Sequence, residues 1–229
     1  LQAPISSYTI SGSTIIFAAA LTTDDVIDFI TVLGDVLDLG VPSDGAVGNT
    51  QLADTLKVGK QSIWVPATSM VPTASNGCAS VATVETTSGR PDMNVLDFDK
   101  DSDEHAQFSV AFPKSWNAGT VTFQFFWSGL AATTGVSMGL QGVAFADNDS
   151  IDTAYGTAVV VDDDAQGAVE ELLVSAESGA VTIAGSPGDD ELCYFRIFRD
   201  VSDSNDDMAG DCRLHGVKLF FTVDAYNDA

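Results

Sequence analysis

The stretch that decides the fold is TVTFQFFW, residues 120–127. Val121, Phe123, Phe125 and Trp127 occupy alternate positions, so an extended chain places all four on one face. AQFSVAF, residues 106–112, repeats the pattern with Phe108, Val110 and Phe112. Two aromatic-rich strands of this kind supply much of a core at ~25 cal/mol per Å² of apolar area buried. The region around them is therefore expected to be stable without a metal or a disulfide.

Outward from this pair the same signal recurs. Strand-like runs begin with SIWVPA (62–67), ASVATVET (79–86) and NVLDF (94–98). They continue after the pair with VSMGLQGVAFA (136–146), TAVVV (157–161), ELLVSAE (171–177) and AVTIAG (180–185), then LCYFRIFRDV (192–201) and LHGVKLFFTVDA (214–225). Turn clusters such as SNG, TSGRPD, WNAG, DNDS, SPGDD and DSNDDMAG separate them. With scarcely any helical periodicity, this predicts an all-β chain whose residues 61–229 form a jelly-roll-like β-sandwich. One short helical turn is predicted at DSIDTAY (149–155), capped by Asp149 or Ser150.

The N-terminal part reads differently. In ISSYTISGSTIIF (5–17), Tyr8 and Ile10, then Ile15 and Phe17, flank Ser11-Gly12-Ser13, which predicts a tight hairpin. VIDFITVLG (26–34) adds a third strand, giving a small β-hairpin module over residues 1–40. Three short strands bury little, so a neighbour or a copy of the chain is expected to help. Residues 41–60, VPSDGAVGNTQLADTLKVGK, read as a connector. Its sparse apolar residues Val47, Leu52, Leu56 and Val58 could line a three-fold axis as a stalk; an exposed linker is the other reading.

Composition narrows the function classes. The 229 residues are 45% hydrophobic, too apolar for general disorder, and no apolar run reaches the roughly 20 residues a membrane helix needs. With 33 acidic against 9 basic residues, the net charge of −24 repels phosphate backbones and anionic lipid. Nucleic acid and membrane insertion are therefore not expected. Leu1 is not an initiator and LQAPISSYTI lacks the charged start and apolar core of a signal peptide, so sequence upstream of Leu1 is expected.

Chemistry-bearing motifs are sparse. Cys78, Cys193 and Cys212 show no CxxC spacing and read as small buried hydrophobes, although Cys193 could bridge Cys212. His105 and His215 read as surface or structural residues, and no GxSxG, HExxH or phosphate loop is present. Enzymatic activity and a cofactor are not expected. Asp99, Asp101 and Asp103, and again Asp203, Asn205 and Asp207, open like calcium loops. Each set lacks the sixth-position glycine and the closing glutamate, so solvated turns are the default. The aromatics least explained by core alternation are Trp64, Trp116, Phe145, Tyr155 and Tyr226. Trp116, in a turn beside Lys114 and Asn117, is the foremost candidate for contact with a saccharide, with Tyr155 a further one; the alternative is that Trp116 covers an edge of the sandwich.

The order YTISGSTIIF, DVIDFITVLG and VPSDGAVGNTQLAD resembles the small β-modules and polar connectors of bacteriophage tail-fibre proteins, in which a Tyr-x-x-x-Gly-x-x-Ile-x-Phe hairpin precedes a Val-Ile strand. PKSWNAGT (113–120), RIFRD (196–200) and LHGVKL (214–219) are similar to β-sandwich domains at the ends of phage appendage proteins. The resemblance implies a virion structural protein of the fibre or spike class on the particle surface. Such a protein would be a homotrimer joined to other virion proteins through its N-terminal end, its terminal sandwich contacting a host receptor or glycan. A capsid decoration, cement or head-tail joint protein with no ligand site is the alternative, and a carbohydrate-binding module of an enzyme a third.

Overall fold

In a computed structural model the chain divides into two compact units, Leu1–Gly48 and Asn49–Ala229. The structure describes residues 8–11, 14–24, 59–130, 132–169 and 171–225. In the first unit, β1 (Tyr8–Ser11) and β2 (Thr14–Phe17) pair antiparallel with Ser11 opposite Thr14 and Tyr8 opposite Phe17, as the hairpin pattern predicts. The expected third strand lies outside the described residues, as do Val47, Leu52, Leu56 and Val58.

The second unit is a sandwich of two six-stranded sheets, antiparallel except for one parallel pair. Its elements in chain order are β3 (Gly59–Pro66), a single 3-10 turn (Ala67–Ser69), β4 (Val71–Pro72), β5 (Ala82–Val84), β6 (Met93–Phe98) and β7 (His105–Ala111). There follow β8 (Thr122–Ser128), β9 (Gly135–Phe145), β10 (Val159–Asp164), β11 (Leu173–Val174), β12 (Ile183–Ala184), β13 (Leu192–Arg199) and β14 (Cys212–Val223). The first sheet runs β10-β9-β13-β7-β4, with β12 also paired to β9 in parallel. The second runs β11-β8-β14-β6-β5, with β3 also paired to β14. Gly59 and Lys60, expected at the end of the connector, already belong to β3, where they pair with Val223 and Thr222.

β7 and β8 follow one another in sequence but lie in opposite sheets, so their aromatic faces meet across the core. Phe108, Val110, Phe112, Val121, Phe123, Phe125 and Trp127 are all buried there. Trp127 donates from Nε1 to Asp163 Oδ2 at 2.7 Å, satisfying the one polar atom its burial would otherwise strand. Burial pushes the Asp163 carboxyl above its usual range, and the Trp127 bond pulls the other way. All three cysteines are buried free thiols, each pushed up to about 12, chiefly by burial.

A buried clasp closes the end of the first sheet. Arg199, at the end of β13, is fully buried and donates from Nε and Nη2 to Asp206 at 2.9 and 2.7 Å. Its remaining hydrogens go to the carbonyls of Gly210, Met208 and Phe98. A charge taken out of water is tolerable only when paired and saturated in this way. The clasp fixes the whole acidic loop between β13 and β14.

No helix forms at 149–155. The capping carboxylate is used in the other direction: Asp149 Oδ2 accepts the Ala146 N–H at 2.9 Å, and Asn148 sits at φ 67°, so a tight turn replaces the expected helical one.

Candidate functional site

β14 is flanked by β8 along one edge and by β6 and then β3 along the other. The change of partner from β6 to β3 coincides with a bulge between Leu214 and Gly216. A bulge re-aims the residue it contains, and His215 sits in this one. Leu214, Val217, Leu219, Phe221 and Val223 point into the core. The outer face carries Arg213, Gly216, Lys218 and Phe220, in register with Ser128, Phe126, Gln124 and Thr122 of β8.

On this outer face β3 contributes Trp64, directly across from Lys218. Ile63 and Val65 turn inward on either side of it. Trp64 is 48% exposed, although the other two tryptophans are buried. Its indole meets the edge of Phe126 at 4.9 Å and 80°, and lies over Gly216, where an added Cβ would come within 2.6 Å of the ring. The ring is therefore held in one place while much of it meets solvent.

Beside this platform one charge pair is closed and Lys218 keeps its donors. Lys60 donates to Glu177, which also accepts from Thr122 Oγ1, and these contacts hold the Glu177 carboxyl below its usual range. The ammonium groups of Lys60 and Lys218 lie 5.0 and 5.1 Å from the Phe220 ring. Gln124 donates to the Ser175 carbonyl at 2.8 Å.

Two residues along β8 from Phe126, the same face opens into a groove of about 510 Å³. Ser128 and His215 form a 2.9 Å hydrogen bond on its floor, beside Arg213, whose Nε donates to Asp97 at 3.0 Å. Burial, and next the charge of Arg213, push His215 below the ordinary histidine value, so its imidazole is neutral at pH 7. Exposed Leu130 and Leu172 form apolar walls.

On the opposite sheet a smaller cavity of about 370 Å³, lined by Asp162, Asp163, Asp164, Gln166 and Asn205, lies at the β10 edge, and the face over β9 is closed. β9 is buried on both sides at every position except Phe145. Arg196 donates to Gln141 at 3.2 Å and is covered by the Tyr155 ring at 5.0 Å; Phe198 lies over Gly139 and stacks on His105. Tyr155 is thus half-buried over Arg196, and burial raises its phenol.

Trp116 requires a correction. It is 3% exposed and stacks on Phe112 at 4.2 Å, inside the core cluster, so its face is not offered to a ligand. Lys114 and Asn117 remain exposed at the turn, but Asn117 is occupied in accepting the Gly119 N–H. The turn thus folds its indole inward as a plug, the alternative that the sequence left open. Trp64, also among the aromatics outside the core pattern, takes its place as the exposed indole.

The acidic turns are occupied with backbone. Asp99 accepts the Asp101 N–H, Asp103 that of Val201, Asp203 that of Asn205 and Asp207 that of Gly135. Asn205 donates to Asp162. Among the described residues no three His, Cys, Asp or Glu side chains are placed to hold a metal ion.

No protein-family model and no curated protein matches the chain. Among solved structures it is similar to the CBM35 from Cellvibrio japonicus Abf62, at 9% identity and a TM-score of 0.41, covering 73% of this chain and 99% of that one. It is also similar to the CBM22-2 xylan-binding domain from Paenibacillus barcinonensis Xyn10C, at 10% identity and a TM-score of 0.39, covering 72% and 99%. A third is the enzymatically active domain of bacteriophage CBA120 tailspike protein 4, at 8% identity and a TM-score of 0.34; the match covers 72% of this chain but 19% of that one.

Proposed function

We propose that the chain is a non-enzymatic structural component of a bacteriophage virion, of the fibre or spike class, displayed on the particle surface. Its N-terminal part assembles three copies, and its sandwich contacts a host-surface saccharide through the open face of the second sheet. The tail-fibre resemblance of residues 5–54 supports the class, and Trp64 carries the ligand reading.

A fixed indole with an exposed face gives the C–H side of a sugar ring a flat apolar partner, and little side-chain freedom remains to be lost on binding. Lys218, directly across the strand pair, presents hydrogen-bond donors beside it. Contact at one such platform is weak, and three linked copies convert it to strong adsorption by effective concentration.

The test is adsorption of the intact chain to host cells and to immobilised cell-surface polysaccharide, with its mass followed by sedimentation. A trimer is expected, and Trp64→Ala should weaken each site about tenfold, about 1.4 kcal/mol per site, so that retention of the trimer falls by at least that factor. Retention unchanged in Trp64→Ala would overturn the ligand reading, and a monomer at micromolar concentration would overturn the trimer.

A further inference from the structure

We infer that the groove beside Trp64 is a second subsite for the same saccharide, and that the ligand is a neutral oligosaccharide of several units. This rests on the saccharide reading above.

Position makes the two parts one site. Phe126, which props Trp64, and Ser128, on the groove floor, are alternate residues of β8, so their side chains leave the same face about 7 Å apart. The strand thus leads from an apolar platform into a pocket without crossing the sheet.

Chemistry gives the ligand class. The groove has a polar floor and apolar walls: Ser128, His215, Arg213 and Asp97 below, Leu130 and Leu172 at the sides. Neutral His215 with Ser128, and Arg213 with Asp97, each present a donor beside an acceptor. That suits hydroxyl groups, which both give and accept hydrogen bonds, while the walls suit the C–H surface of a pyranose ring.

Charge selects against acidic sugars. Arg213 is already matched by Asp97, and Asp211 and Glu171 also line the groove, in a chain of net charge −24. A polyuronate would meet repulsion at long range and, Lys218 beside Trp64 apart, no uncompensated cation along the site. A neutral ligand meets neither.

The experiment measures binding of the full chain to a length series of cello- and xylo-oligosaccharides, disaccharide to hexasaccharide, and to oligogalacturonates of matched length, by calorimetry and tryptophan fluorescence. Affinity for at least one neutral series should rise with length. Arg213→Met, or Leu172→Asn at the exposed wall should Arg213→Met fail to fold, should cut affinity for the longer oligomers about tenfold and leave the disaccharide unchanged. Oligogalacturonates should bind at least tenfold more weakly. Binding that depends on Trp64 yet ignores both length and the groove variants would overturn the second subsite and leave the platform standing. Tighter binding of oligogalacturonates would overturn the neutral-ligand inference, and no binding to any series would overturn this inference while the platform reading stands or falls by the adsorption test of Trp64→Ala.

Discussion

The first sheet covers the outer side of its long strand β9, whereas the second leaves its outer side open. Along β9, Ser137, Gln141 and Val143 face away from the core and are nonetheless buried, beneath Asp162, Arg196 with Tyr155, and neighbouring rings. Along β14 and β3, Trp64 stands nearly half exposed beside Lys218 and a groove. A strand with glycine, serine and glutamine on its outer side is sealed, and one carrying a tryptophan is not. What separates the two faces is coverage by other segments, since residue hydrophobicity alone would assign them the other way round.

The comparison is sharpened most by setting the tryptophans against each other. Trp116→Ala removes a core ring packed on Phe112 and should cost about 3–5 kcal/mol in denaturant unfolding. Trp64→Ala should cost well under half of that while taking the larger toll on saccharide retention. Equal stability losses for the two would erase the distinction between plug and platform.

A smaller effect tests the closed face. An alanine Cβ at Gly139 would come within 2.3 Å of the Phe198 ring, which must then leave its seat against His105. Overpacking of this kind costs about 1–3 kcal/mol. Gly139→Ala should therefore lower the melting temperature without altering retention; an unchanged melting temperature would show the cover over β9 to be loose.

The smallest effect is a pH dependence. His105 under the closed face and His215 on the open one are both pushed below the ordinary value of 6.5, in each case mainly by burial. A base whose folded value is depressed binds fewer protons than in the unfolded chain. Its stabilising contribution is complete above pH 6.5 and is lost as pH falls from there through the folded value. His215→Gln should flatten the acid side of the stability profile, measured as the urea midpoint between pH 7 and pH 5. An unaltered slope would place His215 in water and loosen the groove floor.

Much of the fold was legible in the chain. Alternation in AQFSVAF and TVTFQFFW named core residues correctly, because side chains on a strand must leave opposite faces whatever the strand pairs with. The hairpin at Tyr8–Phe17 was legible for the same reason. The site was legible only in part. Trp64 and Trp116 both stood outside the core pattern, and no local rule says which of two unexplained tryptophans folds back. The groove was invisible, since Ser128, Asp97, Arg213 and His215 meet only through the pairing of β8, β14 and β6.

The amino-acid order by itself determined the strand periodicity, the turns between strands, the excess of negative charge and the inward faces of the core strands, all of which depend on neighbours within a few residues. Tertiary structure alone decided which sheet each strand joined, that Trp116 is a plug and Trp64 a platform, and that one outer face is sealed while the other is open. Those outcomes depend on register and on coverage by segments distant in sequence, and the free energy of covering a face resides in contacts that do not exist until the sheets have formed.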